Sequence, residues 1–218
     1  MLERKSNKMS KNIDDKEILK ELKSITKNKE SWKSNMDDVA AILNEDYSTA
    51  VKAKALWILG EMGLKHPAEI EEHVPDIAGY LDDDEPKLRE RSANALGRIG
   101  RADKGLAVPY MDKLMKMKDD ESHNVRHAFI WACENIATNA SELFCEKLEI
   151  FYQMIFDCEE KVRIEAPEMF RVVGKSNPQC VKPYLEKLEL IAENDKNPVV
   201  RIHSAGAIRI TKKALKEI

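Results

Sequence analysis

The chain contains no run near the roughly 18 apolar residues that a membrane-spanning helix requires. Its first residues, Met1-Leu2-Glu3-Arg4-Lys5-Ser6, lack the apolar stretch of a secretory leader, so a cytoplasmic protein is expected. The four cysteines, Cys133, Cys145, Cys158 and Cys180, are dispersed and form no C-x-x-C pair, which argues against a metal or redox motif and for free, mostly buried thiols. Glycine and proline are scarce, 8 of each in 218 residues, below the usual roughly 7% and 5%. Few turn residues imply helices joined by short loops. Neither sign of charge dominates, with 36 Lys+Arg against 39 Asp+Glu, so nothing marks the whole chain as a polyanion binder.

What the sequence does contain is a period. Val51-Lys52-Ala53, Leu88-Arg89-Glu90, Val125-Arg126-His127, Val162-Arg163-Ile164 and Val200-Arg201-Ile202 start 37, 37, 37 and 38 residues apart. Five residues before each stands an aspartate: Asp46, Asp83, Asp120, Asp157 and Asp195. Counting from each aliphatic start, positions 1, 5, 8, 9 and 12 form one apolar stripe, for example Val51, Ala55, Ile58, Leu59 and Met62. That spacing suits a helix face and cannot line one face of a strand. Gly63, Gly100 and Gly174 follow the stripe where a helix end favours a residue free to take positive φ. Each block is therefore an inner helix of about four turns. A second amphipathic segment precedes it, expected near 35–44, 68–81 and 141–155 and, in matching form, from Pro109-Tyr110 and Pro183-Tyr184. Pro75 should bend one of these outer helices, and Pro167 should kink the fourth inner helix near Arg163.

A single pair cannot bury its stripe, so successive pairs must stack into a solenoid with one continuous core. Five units account for residues 34–218. Residues 13–33 read as a capping helix carrying Ile18, Leu19, Leu22 and Ile25, and 1–12 as a disordered basic tail. The first 33 residues hold 10 Lys+Arg against 6 Asp+Glu, leaving the repeats net acidic. In the last unit Thr211 and Lys212 replace the Ile-Gly close, as a face turned to water requires.

The aspartate turn, the Val-Arg pair and the run Ala95-Leu96-Gly97-Arg98-Ile99-Gly100 resemble HEAT repeats of the short, phycobilisome-lyase-like type. The resemblance implies an all-α, right-handed solenoid, with outer helices on the convex side and inner helices lining a concave face that holds a protein or nucleic-acid partner. It says little about function. The repeated Asp/Arg pairs read as structural joints, the aspartate capping the next helix and pairing with an arginine of its own or the neighbouring unit.

Function is therefore sought where the repeats differ. Unit positions 4, 7 and 11 share the side of the inner helix opposite the stripe: Lys54, Trp57, Glu61; Arg91, Asn94, Arg98; Ala128, Trp131, Asn135; Glu165, Glu168, Val172; His203, Gly206, Ile210. Trp57 and Trp131 flank an Arg/Asn centre, the composition of an interface hot spot. Lys54, Trp57, Arg91, Asn94, Arg98, Trp131 and Asn135 are the expected partner-binding residues, for a protein or peptide. Glu165 and Glu168 make the face mixed in sign, which disfavours nucleic acid. No histidine is followed by glutamate, as the HEAT-like di-iron hydroxylases require, and the His123/His127 pair lacks a zincin glutamate. No catalytic site, metal or cofactor is expected. The enzymatic alternative is a HEAT-like alkylpurine DNA glycosylase, with the tryptophans against a lesion and Arg91 and Arg98 on phosphates.

Overall fold

The computed structural model describes the backbone of residues 2–218 and the side chains of residues 15–218, and among the described residues every regular element is helical. Helix α1 (Leu2–Lys27) comes first. Five repeats follow: α2 (Met36–Ala41) with α3 (Thr49–Lys65); α4 (Pro67–Ile70) and α5 (Val74–Gly79) with α6 (Pro86–Ala102); α7 (Lys104–Ala107) and α8 (Met111–Lys116) with α9 (His123–Ala140); α10 (Leu148–Met154) with α11 (Glu160–Ser176); and α12 (Pro178–Val181) and α13 (Leu185–Asn194) with α14 (Pro198–Leu215). The last helix of each set is the inner one, and α3, α6, α9, α11 and α14 pack in that order, each on the next. The stripe residues fill the space between inner and outer layers, and Val51, Ala55, Ile58, Leu59 and Met62 are fully buried. No described helix is long and apolar enough to cross a membrane.

The outer layer is more broken than its periodicity suggests. Short 3-10 turns at Glu71–His73, Val108–Tyr110 and Lys182–Tyr184 split three outer segments, and residues 141–147 are 3-10 throughout. Pro109 and Pro183, expected in the first turn of a helix, lie instead in the turns that join two helical pieces. A proline has no N–H to give to the carbonyl four residues back, so a continuous α-helix cannot run through these sites without loss. Helix α11, by contrast, is one helix through the buried Pro167.

The glycines act differently from the expectation. No described glycine has positive φ; Gly63, Gly100 and Gly174 lie inside their helices, whose ends are closed by the amides of His66, Asp103 and Asn177. Their role is close approach. A Cβ on Gly60 would lie 2.7 Å from Ala95 Cα, one on Gly97 2.6 Å from Ala132 Cα, and one on Gly100 2.7 Å from an Ile136 side-chain carbon. Thus α3 meets α6 at Gly60, and α6 meets α9 at Gly97, backbone against backbone. Along the same seam α9 and α11 carry Glu134 and Arg171 in place of Gly60 and Gly97, and these two helices touch less extensively than the other inner pairs. Thr211, expected at water, is buried against Gly174 with its hydroxyl unpaired, while Lys212 stays exposed and pairs with Glu189.

The Asp/Arg ladder joins neighbouring units at two of its steps, while Arg163 and Arg201 reach carbonyls of their own turns. Arg89 donates from Nε and Nη2 to both Asp120 carboxylate oxygens at 2.7 and 2.9 Å, and Arg126 does the same to Asp157 at 2.7 and 2.8 Å. The remaining nitrogen of each reaches carbonyls of its own turn, Asp83 and Asp84 for Arg89, Asp120 and Glu121 for Arg126. The aspartate does not cap the helix. It stands two residues before the N-cap and accepts that residue's amide, as Asp83 does from Glu85, Asp120 from Ser122 and Asp157 from Glu159, each at 2.8 Å. Burial alone would raise the Asp157 pKa, but hydrogen bonds from Arg126 and the Glu159 amide outweigh it and hold the carboxyl below its usual value.

The thiol expectation fails for one pair. Cys145 and Cys180 form a disulfide, with Cα atoms 5.2 Å apart; Cys133 is free and buried, Cys158 free and exposed. Residues 35 apart in a 37-residue repeat come to lie side by side on consecutive outer segments. A reducing compartment would keep the same two sulfurs as facing thiols.

The tail expected over 1–12 lies outside the residues whose side chains are described. From Asp15 onward, α1 sets Leu22 into the core and packs against α3. Behind it Trp32 is buried, its indole N–H donating to the Ile25 carbonyl at 2.9 Å.

Candidate functional site

The inner-helix face carries a chain of aromatic and charged side chains across the first three repeats. On α3, Lys54 and Trp57 sit one turn apart, and the Lys54 ammonium rests 4.0 Å from the centre of the indole ring. On α9, Trp131 receives the Arg98 guanidinium of α6 at 4.4 Å. Arg98 also pairs with Glu61 of α3, so Glu61, Arg98 and Trp131 form one line over three inner helices. Burial pulls the Arg98 pKa below its usual value, against the Glu61 carboxylate, which raises it, and with a smaller lowering from the Arg91 charge. Both tryptophans are half-buried: each is packed on one side by a cation and open in part to solvent.

The other expected residues divide. Arg91 and Asn94 lie half-buried on α6 between the two rings, Arg91 being 3.9 Å from Glu90. Asn135 is only 8% exposed, and its amide is committed to the Trp131 carbonyl at 2.9 Å and to Arg101 at 3.4 Å. It holds the α9 end of the line in place and presents little to solvent.

A groove of about 640 Å³ opens beside Trp57, lined by Thr49, Ala50, Ala53, Lys54, Lys87 and Arg91. Lys87 was not among the expected residues, because it lies before the aliphatic start of the second unit. The signal was present, since Lys87 is four residues before Arg91 and must share its helix face. Thr49, Ala50 and Ala53 are small, and they leave the floor open. Partial burial, and after it the charges of Arg91 and Lys23, lowers the Lys54 pKa.

The face changes character at α9 and α11. Glu134 pairs with Arg171 at 3.2 Å, Glu168 pairs with Arg171 and lies 3.5 Å from His203, and Glu165 is 3.9 Å from His127. Burial, followed by the charges of Glu165 and Glu168, pushes the Glu134 pKa up to about 7. A carboxyl whose pKa is higher in the fold than in the unfolded chain keeps a proton that the unfolded chain has lost. Its contribution to stability is therefore present below about pH 4.5 and declines as pH rises to about 7. Glu134→Gln should remove that decline: in urea titrations the variant is expected to gain roughly 1 kcal/mol over the parent at pH 8, allowing for a side chain still partly in water, and little at pH 4.5.

A family model described as HEAT repeats matches residues 36–134. That span runs from α2 into α9, and the same 37-residue unit recurs in α11 and α14. Among solved structures, a designed armadillo repeat protein in complex with the peptide (KR)4 superposes with a TM-score of 0.67 at 19% identity, covering 88% of this chain and 86% of that one. A computationally designed armadillo repeat protein for modular peptide recognition gives 0.65 at 17% identity, covering 86% of each chain. An engineered protein gives 0.64 at 15% identity, covering 91% of this chain and 97% of that one. The fold is thus an all-α solenoid of the HEAT and armadillo kind. No curated protein matches the sequence.

Proposed function

We propose that the chain is a non-enzymatic interaction scaffold that holds a protein or peptide partner on its concave inner-helix face, through Lys54, Trp57, Arg91, Asn94, Arg98 and Trp131, with Asn135 supporting the last. The observation that carries the reading is the pair of half-open indoles, each stacked with a cation, on a face whose other charges differ from repeat to repeat. Aromatic and arginine side chains in such settings dominate interface energies. The designed armadillo proteins of similar fold, named for peptide recognition and for a bound (KR)4 peptide, support a peptide-sized partner. The DNA-acting alternative has less to draw on, because Arg98 is occupied by Glu61 and Trp131 and the face beyond it is lined by carboxylates.

Replacing Trp57 and Trp131 together by alanine is expected to abolish capture of the lysate partner that the parent chain retains, with the helical circular dichroism unchanged. Capture at the parent level by the double variant would remove this face from consideration.

A further inference from the structure

The inner-helix face is divided by charge. In the first two repeats Lys54, Lys87 and Arg91 converge on the groove beside Trp57, and Lys23 of α1 acts on the same site. The nearby carboxylates are only partly free to balance them: Glu61 is paired with Arg98, and Glu90 already serves both Lys87, at 3.0 Å, and Arg91. In the third and fourth repeats Glu134 and Glu168 share one arginine, Arg171, with His203 beside Glu168, and Glu165 lies 3.9 Å from His127. The molecule thus offers an under-neutralised cationic groove with an aromatic wall, followed by a barrier of the opposite sign.

We infer that the partner segment seated on the Trp57 groove is an acidic peptide. Its carboxylates meet Lys54, Lys87 and Arg91, an apolar side chain lies on Trp57, and Glu134, Glu165 and Glu168 turn the acidic segment away beyond Trp131. The inference rests on the reading of this face as a peptide surface and adds the chemistry and the extent of what binds. A groove of about 640 Å³ suits a few side chains of a peptide. Like-charge contact beyond it supplies specificity by repulsion, which restricts where an acidic ligand can run. A nucleic acid fits less well, because it requires a basic track along its whole path, and beyond the second repeat the carboxylates Glu134, Glu165 and Glu168 outnumber the one arginine, Arg171, among them. Partial protonation of Glu134 near neutral pH means that the barrier strengthens as pH rises.

The test is a fluorescence anisotropy titration with three labelled probes: a ten-residue peptide of alternating Glu and Leu, the same peptide with Lys for Glu, and a single-stranded oligothymidylate of matching length. The Glu peptide is expected to bind at least about tenfold more tightly than the Lys peptide, with an affinity that falls as salt rises. Lys54→Glu combined with Arg91→Glu should reverse that preference, and Glu134→Gln with Glu165→Gln and Glu168→Gln should tighten binding of a Glu peptide twice as long. Equal binding of the two peptides, or a preference for Lys, lost in either case on Trp57→Ala, would overturn the charge assignment and leave the peptide surface standing. Tighter binding of oligothymidylate than of the Glu peptide would overturn the assignment in favour of nucleic acid. Failure of the parent chain to bind any probe would overturn both readings.

Discussion

Gly97→Leu should be the most destabilising single substitution on the inner helices, while Gly206→Ala, in an equally helical setting, should stabilise. Gly97 faces the backbone of α9: even a methyl there would lie 2.6 Å from Ala132 Cα and 3.1 Å from its carbonyl oxygen. Backbone cannot rotate away as a side-chain tip can, so α6 and α9 must separate along the seam. Overpacking a close contact costs about 1–3 kcal/mol and more where the obstruction is rigid, so a loss of 3 kcal/mol or more is expected for leucine and about 2 kcal/mol for alanine. At Gly206, inside α14, a methyl would meet nothing within 4 Å. There alanine only removes the excess backbone freedom of glycine, worth about 0.5–1 kcal/mol in favour of the fold. Urea unfolding of the three variants measures both signs. A destabilised Gly206→Ala, or a neutral Gly97→Leu, would show that the seam is not set by close approach.

Arg126→Ala is expected to cost about 2–4 kcal/mol. Arg126 and Asp157 are each only 11% exposed, and the guanidinium satisfies both carboxylate oxygens and two turn carbonyls at once. Truncation leaves a half-buried charge and two carbonyls without their partner, which is more damaging than the pair itself is stabilising. The deficit should depend on pH in a definite direction. Asp157 titrates below its usual 3.8, so its contribution is complete at neutral pH and is lost as pH falls through the depressed value. Chemical denaturation at pH 7 should show the full difference between parent and variant, and at pH 3 the difference should shrink. An exposed ion pair would give less than about 1 kcal/mol at either pH.

The architecture was legible because it is written five times. A 37-residue recurrence of an aliphatic-basic pair and an apolar stripe leaves few alternatives to stacked helix pairs, and the stack is what the structure has. The joints were legible in kind, since an aspartate and a basic residue kept in every unit imply a contact between units, and Arg89 and Arg126 make it. Their geometry was not. Whether Asp120 caps its own helix or receives Arg89 from the unit before depends on where the N-cap falls, and Ser122 takes that place two residues later. The glycines misled for a related reason. A glycine near the end of an apolar stripe suits both a terminating turn and a close helix crossing, and only the partner helix decides between them. Cys145 and Cys180 could have been paired from the period alone, because their separation nearly equals one repeat, but short-range cysteine spacing carries no such signal. At the candidate site, position along the inner helices placed Trp57, Arg91, Arg98 and Trp131 on one face. It did not show that Asn135 sinks between helices or that Lys87 reaches the groove from the first turn of α6.

The Glu134 and Arg171 substitutions on the glycine seam make the solenoid mechanically uneven. Repeats one to three are bolted together by helices in near contact, and repeats four and five by Gly174 against Thr211 and by the Cys145–Cys180 bond. Between these two blocks the inner helices meet through longer, charged side chains, and the load passes to Arg126 and to the Phe129–Phe151 ring stack, 5.5 Å between centroids. In a structure held together only by neighbours, the softest interface sets where the spring bends. Stretching or gripping this molecule would therefore open it at one point, like a book at its worn page, swinging the acidic half of the face relative to the cationic half.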